Sequence, residues 1–131
     1  MGRYVVGRVR ELPPGARAVV EVDDRSIGVF NVHRRFYALR NRCPHQAAPL
    51  CLGEITGLML PSPPGEYRWA RAGEILRCPW HGWEFDITTG RSIFNPHRTR
   101  VRTYEVTVEE DEAVERYPVT IEDGLVILHT P

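Results

Sequence analysis

Two short segments carry the residue types best suited to chemistry, Cys43-Pro44-His45 and Cys78-Pro79-Trp80-His81-Gly82-Trp83. Each sets one soft thiolate and one imidazole a few residues apart. Together they offer two sulfur and two nitrogen donors, a set suited to iron–sulfur or zinc chemistry. A proline after each cysteine fixes the local backbone and removes one N–H, leaving neighbouring amides free to point at sulfur. Gly82 permits close approach of backbone to whatever is bound. Structural zinc uses the same Cys2His2 donors, so their number and type leave both metals open.

The order of donors, C-x-H followed by C-x-x-H, resembles the ligand pattern of the Rieske family, in which two cysteines hold one iron and two histidines the other. The likeness extends over residues 41–50 (NRCPHQAAPL) and 78–90 (CPWHGWEFDITTG), which look like the two cluster loops of Rieske-type ferredoxins and Rieske oxygenase domains. The resemblance implies a [2Fe–2S] cluster, with Cys43 and Cys78 on the inner iron and His45 and His81 on the outer one. Pro44, Gln46, Pro79, Trp80, Gly82 and Trp83 would surround it. Asn95-Pro96 falls where the family often places a proline-containing loop over the cluster, which implies a shielding role for Pro96. Neutral imidazoles remove negative charge from one iron, so the added electron belongs there, on the side nearer solvent where a redox partner docks. Trp80 and Trp83 flank His81 as candidates for that contact patch.

Missing residues bear on the potential. High-potential members of the family carry an extra cysteine in each loop, joined as a disulfide, and the matching positions here are Ala48 and Trp80. Those members also carry a serine and a tyrosine whose hydroxyls donate to sulfur, where this chain has Trp83 and Phe85. Donors aimed at sulfur stabilise the more negative reduced state. Their absence predicts a potential near the lower end of the Rieske range, about −150 to 0 mV.

The elements that must position these loops read as strands. Short runs of β-branched and aromatic residues bounded by turn residues cover 4–9, 17–22, 26–32 and 36–40 before the first loop, and 84–87, 100–108, 117–122 and 125–129 after the second. Residues 22–25 and 33–35 read as hairpin turns. No segment makes an amphipathic helix beyond one possible turn at 111–116. The expected fold is all-β, an antiparallel β-sandwich carrying a small cluster-binding subdomain made of loops at about 41–52 and 77–90.

Thirty-two residues separate His45 from Cys78, more than Rieske-type ferredoxins usually carry. The surplus falls at about 59–73, where Pro61, Pro63, Pro64 and Gly65 set a turn and 66–71 return as an exposed arm. A tolerated surface insertion is one reading. A docking or shielding arm is the other, motivated by Tyr67 and Trp69 beside Arg68 and Arg71. Cys51, eight residues after Cys43, reads as a small buried hydrophobe, and His33, His97 and His129 as solvated histidines.

Composition sets the outer bounds. With 131 residues, 42% of them hydrophobic, the chain suffices for one domain, 1–131, and the terminal strands suggest no lost neighbour. Seventeen basic and seventeen acidic residues give no nucleic-acid footprint and no general attraction to anionic lipid. The N-terminus builds neither a signal peptide nor a span, and three cysteines make no disulfide framework, which together point to the cytoplasm.

The family's oxygenases add a large domain with a second, mononuclear iron, for which this chain has no room. The expectation is therefore a shuttle with no catalytic site of its own, passing single electrons from a reductase to a terminal oxygenase. Two rivals stay open: a permanently bound small subunit of a reductase such as a nitrite reductase, and a structural zinc-binding interaction domain.

Overall fold

A computed structural model describes residues 2–44, 46–60, 63–65, 68–110 and 123–131. Among them nine strands form: β1 (Gly2–Arg8), β2 (Arg17–Val22), β3 (Arg25–Val32), β4 (Arg35–Arg40), β5 (Glu54–Leu60), β6 (Arg68–Arg77), β7 (Glu84–Asp86), β8 (Thr103–Glu109) and β9 (Leu125–Thr130). All pairings are antiparallel, in a six-stranded sheet ordered β1-β9-β8-β4-β3-β2 and a three-stranded sheet ordered β5-β6-β7. No helix of the described residues is long and apolar enough to cross a membrane.

The β2–β3–β4 meander is set by two tight turns. Asp23 and Asp24 have φ of 50° and 63°, and His33 and Arg34 have φ of 51° and 72°. Left-handed values at both central residues give the twist that matches flanking strands. Neither pair is the usual Asn-Gly, and at the second turn the Asn31 Oδ1 accepts the Arg34 N–H at 2.8 Å while the Asn31 amide donates to the Leu12 carbonyl.

Alternation along β3 and β4 explains why the core is double. Ile27, Val29 and Ala38 join Val22, Tyr104, Val126 and Leu128 in one buried cluster, between β1, β8 and β9 on one side and β2, β3 and β4 on the other. Phe30, Val32 and Leu39 point the opposite way and join Cys43, Leu50, Leu76, Cys78, Phe85 and Ile87. The large sheet thus closes on itself as a sandwich with one face and carries the ligand loops on the other.

The second sheet holds the main departure from the sequence reading. The segment expected as an insertion at 59–73 lies within a hairpin of two paired strands, β5 and β6, with Gly65 at its tip at φ 86°. Register shifts where residues 71–74 face only Gly57, and there Arg71 itself adopts φ 54°. Arg71 then turns inward: its Nη2 donates to Asp86 Oδ2 at 2.6 Å and its Nε to Glu74 Oε1 at 3.2 Å. Trp69 stays 60% exposed. The expected strand at 117–122 and turn at 111–116, with Pro61, Tyr67 and His45, lie outside the described residues.

Candidate metal centre

Each loop cysteine follows the end of a strand or its short extension, Cys43 after β4 and Cys78 directly after β6, so both thiols are delivered by the sheet framework. Both are buried in the same apolar cluster. None of the three cysteines forms a disulfide.

The two loops close by the same hydrogen bonds. Cys43 N–H donates to the Ala48 carbonyl at 2.8 Å, and Cys78 N–H to the Trp83 carbonyl at 2.7 Å. In return the Ala47 N–H reaches the Cys43 carbonyl at 2.7 Å, and the Gly82 N–H the Cys78 carbonyl at 3.0 Å. At the fourth residue after each cysteine the backbone is left-handed, with φ 59° at Ala47 and 70° at Gly82. For Gly82 the left-handed backbone is a visible requirement for glycine, and a Cβ there would also lie 3.1 Å from the Arg77 Nε.

Around this paired scaffold the expected side chains divide by depth. Pro44, Gln46, Pro79, Trp80 and His81 are exposed, while Trp83 is half-buried and packs on the core. Of the two loop tryptophans, Trp80, 58% exposed, is therefore the one presented to solvent. Ala48 and Phe85 are fully buried and carry no polar group. Among the described residues, which omit His45, no three His, Cys, Asp or Glu side chains converge as a ligand set. The structure does bring the two thiols into one core and leave His81 at the rim.

Several residues read from sequence find other roles. Cys51 is buried, its Sγ 3.4 Å from the Leu39 carbonyl, in space that exists because position 28 is glycine; a Cβ there would lie 2.5 Å from Sγ. Burial pushes its thiol up to about 12. It is packing, as expected. His33 lies exposed 3.7 Å from Glu74, and His97 is exposed. His129 is half-buried instead, its Nε2 2.7 Å from Thr107 Oγ1. Pro96 is exposed on a turn beside Arg91, His97, Arg98 and Arg100. Ile93 and Phe94, just before it, share a groove of about 640 Å³ with Gly82, Trp83 and Glu84. Phe94 was missed by sequence reasoning: at 89% exposure it is the most exposed large apolar side chain among the described residues. An aromatic directly before the polar run at 95–100 was the signal available.

Fold and loops define a small all-β protein in which two cysteine-bearing loops of like hydrogen-bonded design meet in one core. The chain belongs to the Rieske [2Fe–2S] domain family, whose pattern residues 2–105 match. It is 28% identical over 99 residues to the ferredoxin component of a naphthalene 1,2-dioxygenase system of Pseudomonas aeruginosa, covering 76% of this chain and 80% of that one. Among solved structures it is similar to the Sphingomonas yanoikuyae B1 ferredoxin, with TM-score 0.65 and 26% identity over 99% of this chain and all of that one. The ferredoxin of carbazole 1,9a-dioxygenase from Nocardioides aromaticivorans IC177 shares the fold at TM-score 0.67 and 23% identity, covering 98% and 97% of the two chains.

Membership makes the cofactor a [2Fe–2S] cluster and the protein an electron carrier. Two buried soft thiols with imidazole at the solvent side suit that group. When bound it supplies one reversible electron. Cys43 and Cys78 would hold it from the buried side, where the core excludes water, and His81 would stand at the exposed edge.

Proposed function

We propose that this domain, spanning 1–131 with cluster loops at 41–52 and 77–90, carries single electrons at low potential from a reductase to a terminal oxygenase in the cytoplasm. Cys43 and Cys78 hold the inner iron, and His45 and His81 the outer. The observation that carries this reading is the depth ordering of the loops, buried thiols below and His81 exposed above, which gives the electron an exit toward a partner. The likeness to a ferredoxin component of a dioxygenase system supports the choice of partners. Trp83 and Phe85, which present no hydroxyl to sulfur, support a low potential.

The test is an absorption and electron paramagnetic resonance (EPR) spectrum before and after dithionite, with iron and acid-labile sulfide quantified anaerobically. A brown protein that bleaches to a rhombic signal of low average g-value, titrating between about −150 and 0 mV, is the expected result. A potential above about +150 mV would overturn the low-potential assignment. A colourless protein holding one zinc and no sulfide would overturn the whole reading.

A further inference from the structure

We infer that the arginine-rich face formed by residues 91–102 docks an acidic surface of a partner redox protein, an inference that rests on the carrier reading above. Residues 87–104 contain four arginines, one histidine and no aspartate or glutamate, in a chain whose formal charges sum to zero overall. The remaining thirteen arginines face all seventeen acidic residues, so the rest of the chain is net acidic and this segment carries an uncompensated positive excess.

Arg91, Arg98, Arg100 and Arg102 are all exposed, and among the described residues none has a carboxylate partner. Arg91 and Arg100 stand directly opposite each other in an antiparallel bridge, an arrangement in which like charges cost stability. Arg102 lies over the Tyr104 ring at 5.4 Å, which orients the guanidinium and leaves its charge available. Two grooves, of about 400 and 430 Å³, meet at Arg100. Planar guanidinium groups in such grooves suit bidentate pairing with carboxylates.

The position of the face argues for a redox partner. At one end the Arg40 N–H donates to the Arg102 carbonyl at 3.0 Å, three residues before Cys43. At the other, Phe94 borders the groove of Gly82 and Trp83 in the second ligand loop. A partner seated on the arginines would thus reach both loops, with Phe94 as an apolar anchor beside a charged field. A long polyanion fits less well, because it would run onto the acidic remainder of the surface.

The test uses the cluster-loaded protein and labelled poly-L-glutamate of about 20 residues, titrated by fluorescence anisotropy at about 20 and 200 mM salt, where the screening length falls from ~20 to ~7 Å. Wild type should bind at low salt and weaken at high salt. Arg91→Gln/Arg98→Gln/Arg100→Gln should bind about tenfold more weakly, with an unchanged EPR spectrum, whereas the triple lysine variant should keep most of the binding. Arg34→Gln/Arg35→Gln, which removes exposed charge elsewhere, should change binding less than twofold. Equal weakening by that control, or undiminished binding by the triple glutamine variant, would overturn the inference. So would tighter binding to an oligothymidylate or to phosphatidylglycerol vesicles than to poly-L-glutamate. Absence of the Rieske spectrum in wild type would instead sink the carrier reading, whatever the titration shows.

Discussion

Ala47 stands in the first ligand loop where Gly82 stands in the second. Each lies four residues after its cysteine, each returns its N–H to that cysteine's carbonyl, and each holds a left-handed backbone. Glycine occupies that conformation freely and alanine does not. Ala47→Gly should therefore stabilise the loaded protein, by about 0.5–1 kcal/mol in urea denaturation, as relief of strain outweighs the looser unfolded chain. Gly82→Ala should cost about 1–2 kcal/mol and displace the Arg77 guanidinium. A loss of stability in Ala47→Gly, or no loss in Gly82→Ala, would show that the two loops are not equivalent.

The potential should respond to a single hydroxyl. Phe85 is fully buried below the second loop, opposite Leu76 and bridged to Ser92. Phe85→Tyr supplies the donor that the resemblance places on a ligand sulfur. A hydrogen bond favouring the reduced state by about 1–1.5 kcal/mol raises a one-electron potential by about 40–65 mV. Redox titration followed by EPR measures it; a fall in potential would show that the hydroxyl points elsewhere.

Cys51 predicts an alkaline loss of stability. Burial raises its thiol from 9.0 to about 12 in the fold. Its stabilisation is complete below pH 9 and is lost as pH rises toward 12, because the unfolded chain releases a proton that the folded chain retains. The slope approaches about 1.4 kcal/mol per pH unit. Comparing urea midpoints of wild type and Cys51→Ala at pH 7 and pH 10 isolates the effect, and the variant should decline less steeply. Its EPR signal should be undiminished, whereas Cys43→Ser and Cys78→Ser should lose theirs.

Acid acts through Asp86. Burial alone raises this carboxyl, but hydrogen bonds from Thr88 and from Arg71 outweigh it and hold it below the usual carboxylate range. The stability it contributes is present above the ordinary aspartate value and is lost as pH falls through the depressed one. Asp86→Asn should cost about 1–3 kcal/mol at pH 7 and little at the acid end of that window. A thermal melt series from pH 7 to pH 3 distinguishes this from a loss independent of pH.

Seven of the nine described strands and both tight turns could be read from residue type and spacing. The β5–β6 hairpin could not. Pro63 and Pro64 near its tip read as loop, and its register depends on a bulge held by Arg71 on Asp86, a contact between distant residues. Strand β8 starts three residues later than expected because Arg100 is taken by the bridge to Arg91 and Val101 N–H by the Gly90 carbonyl. Ala47 gave no warning, since alanine does not advertise a left-handed turn. Trp80 and Trp83 looked alike in sequence, and only packing separates an exposed ring from a half-buried one.

The doubled core has a mechanical meaning. Cys43 and Cys78 sit on one side of β3 and β4, separated along the chain by the β5–β6 hairpin, while the sandwich on the other side closes with side chains that touch neither loop cluster. Any group bridging the two sulfurs is a crosslink that shuts the hairpin into a ring, so it restricts the unfolded chain as a disulfide does. Stripped of it, the molecule should unfold in two stages, the hairpin and loops first and the sandwich later, and the carrier becomes a protein whose cargo site is also its staple.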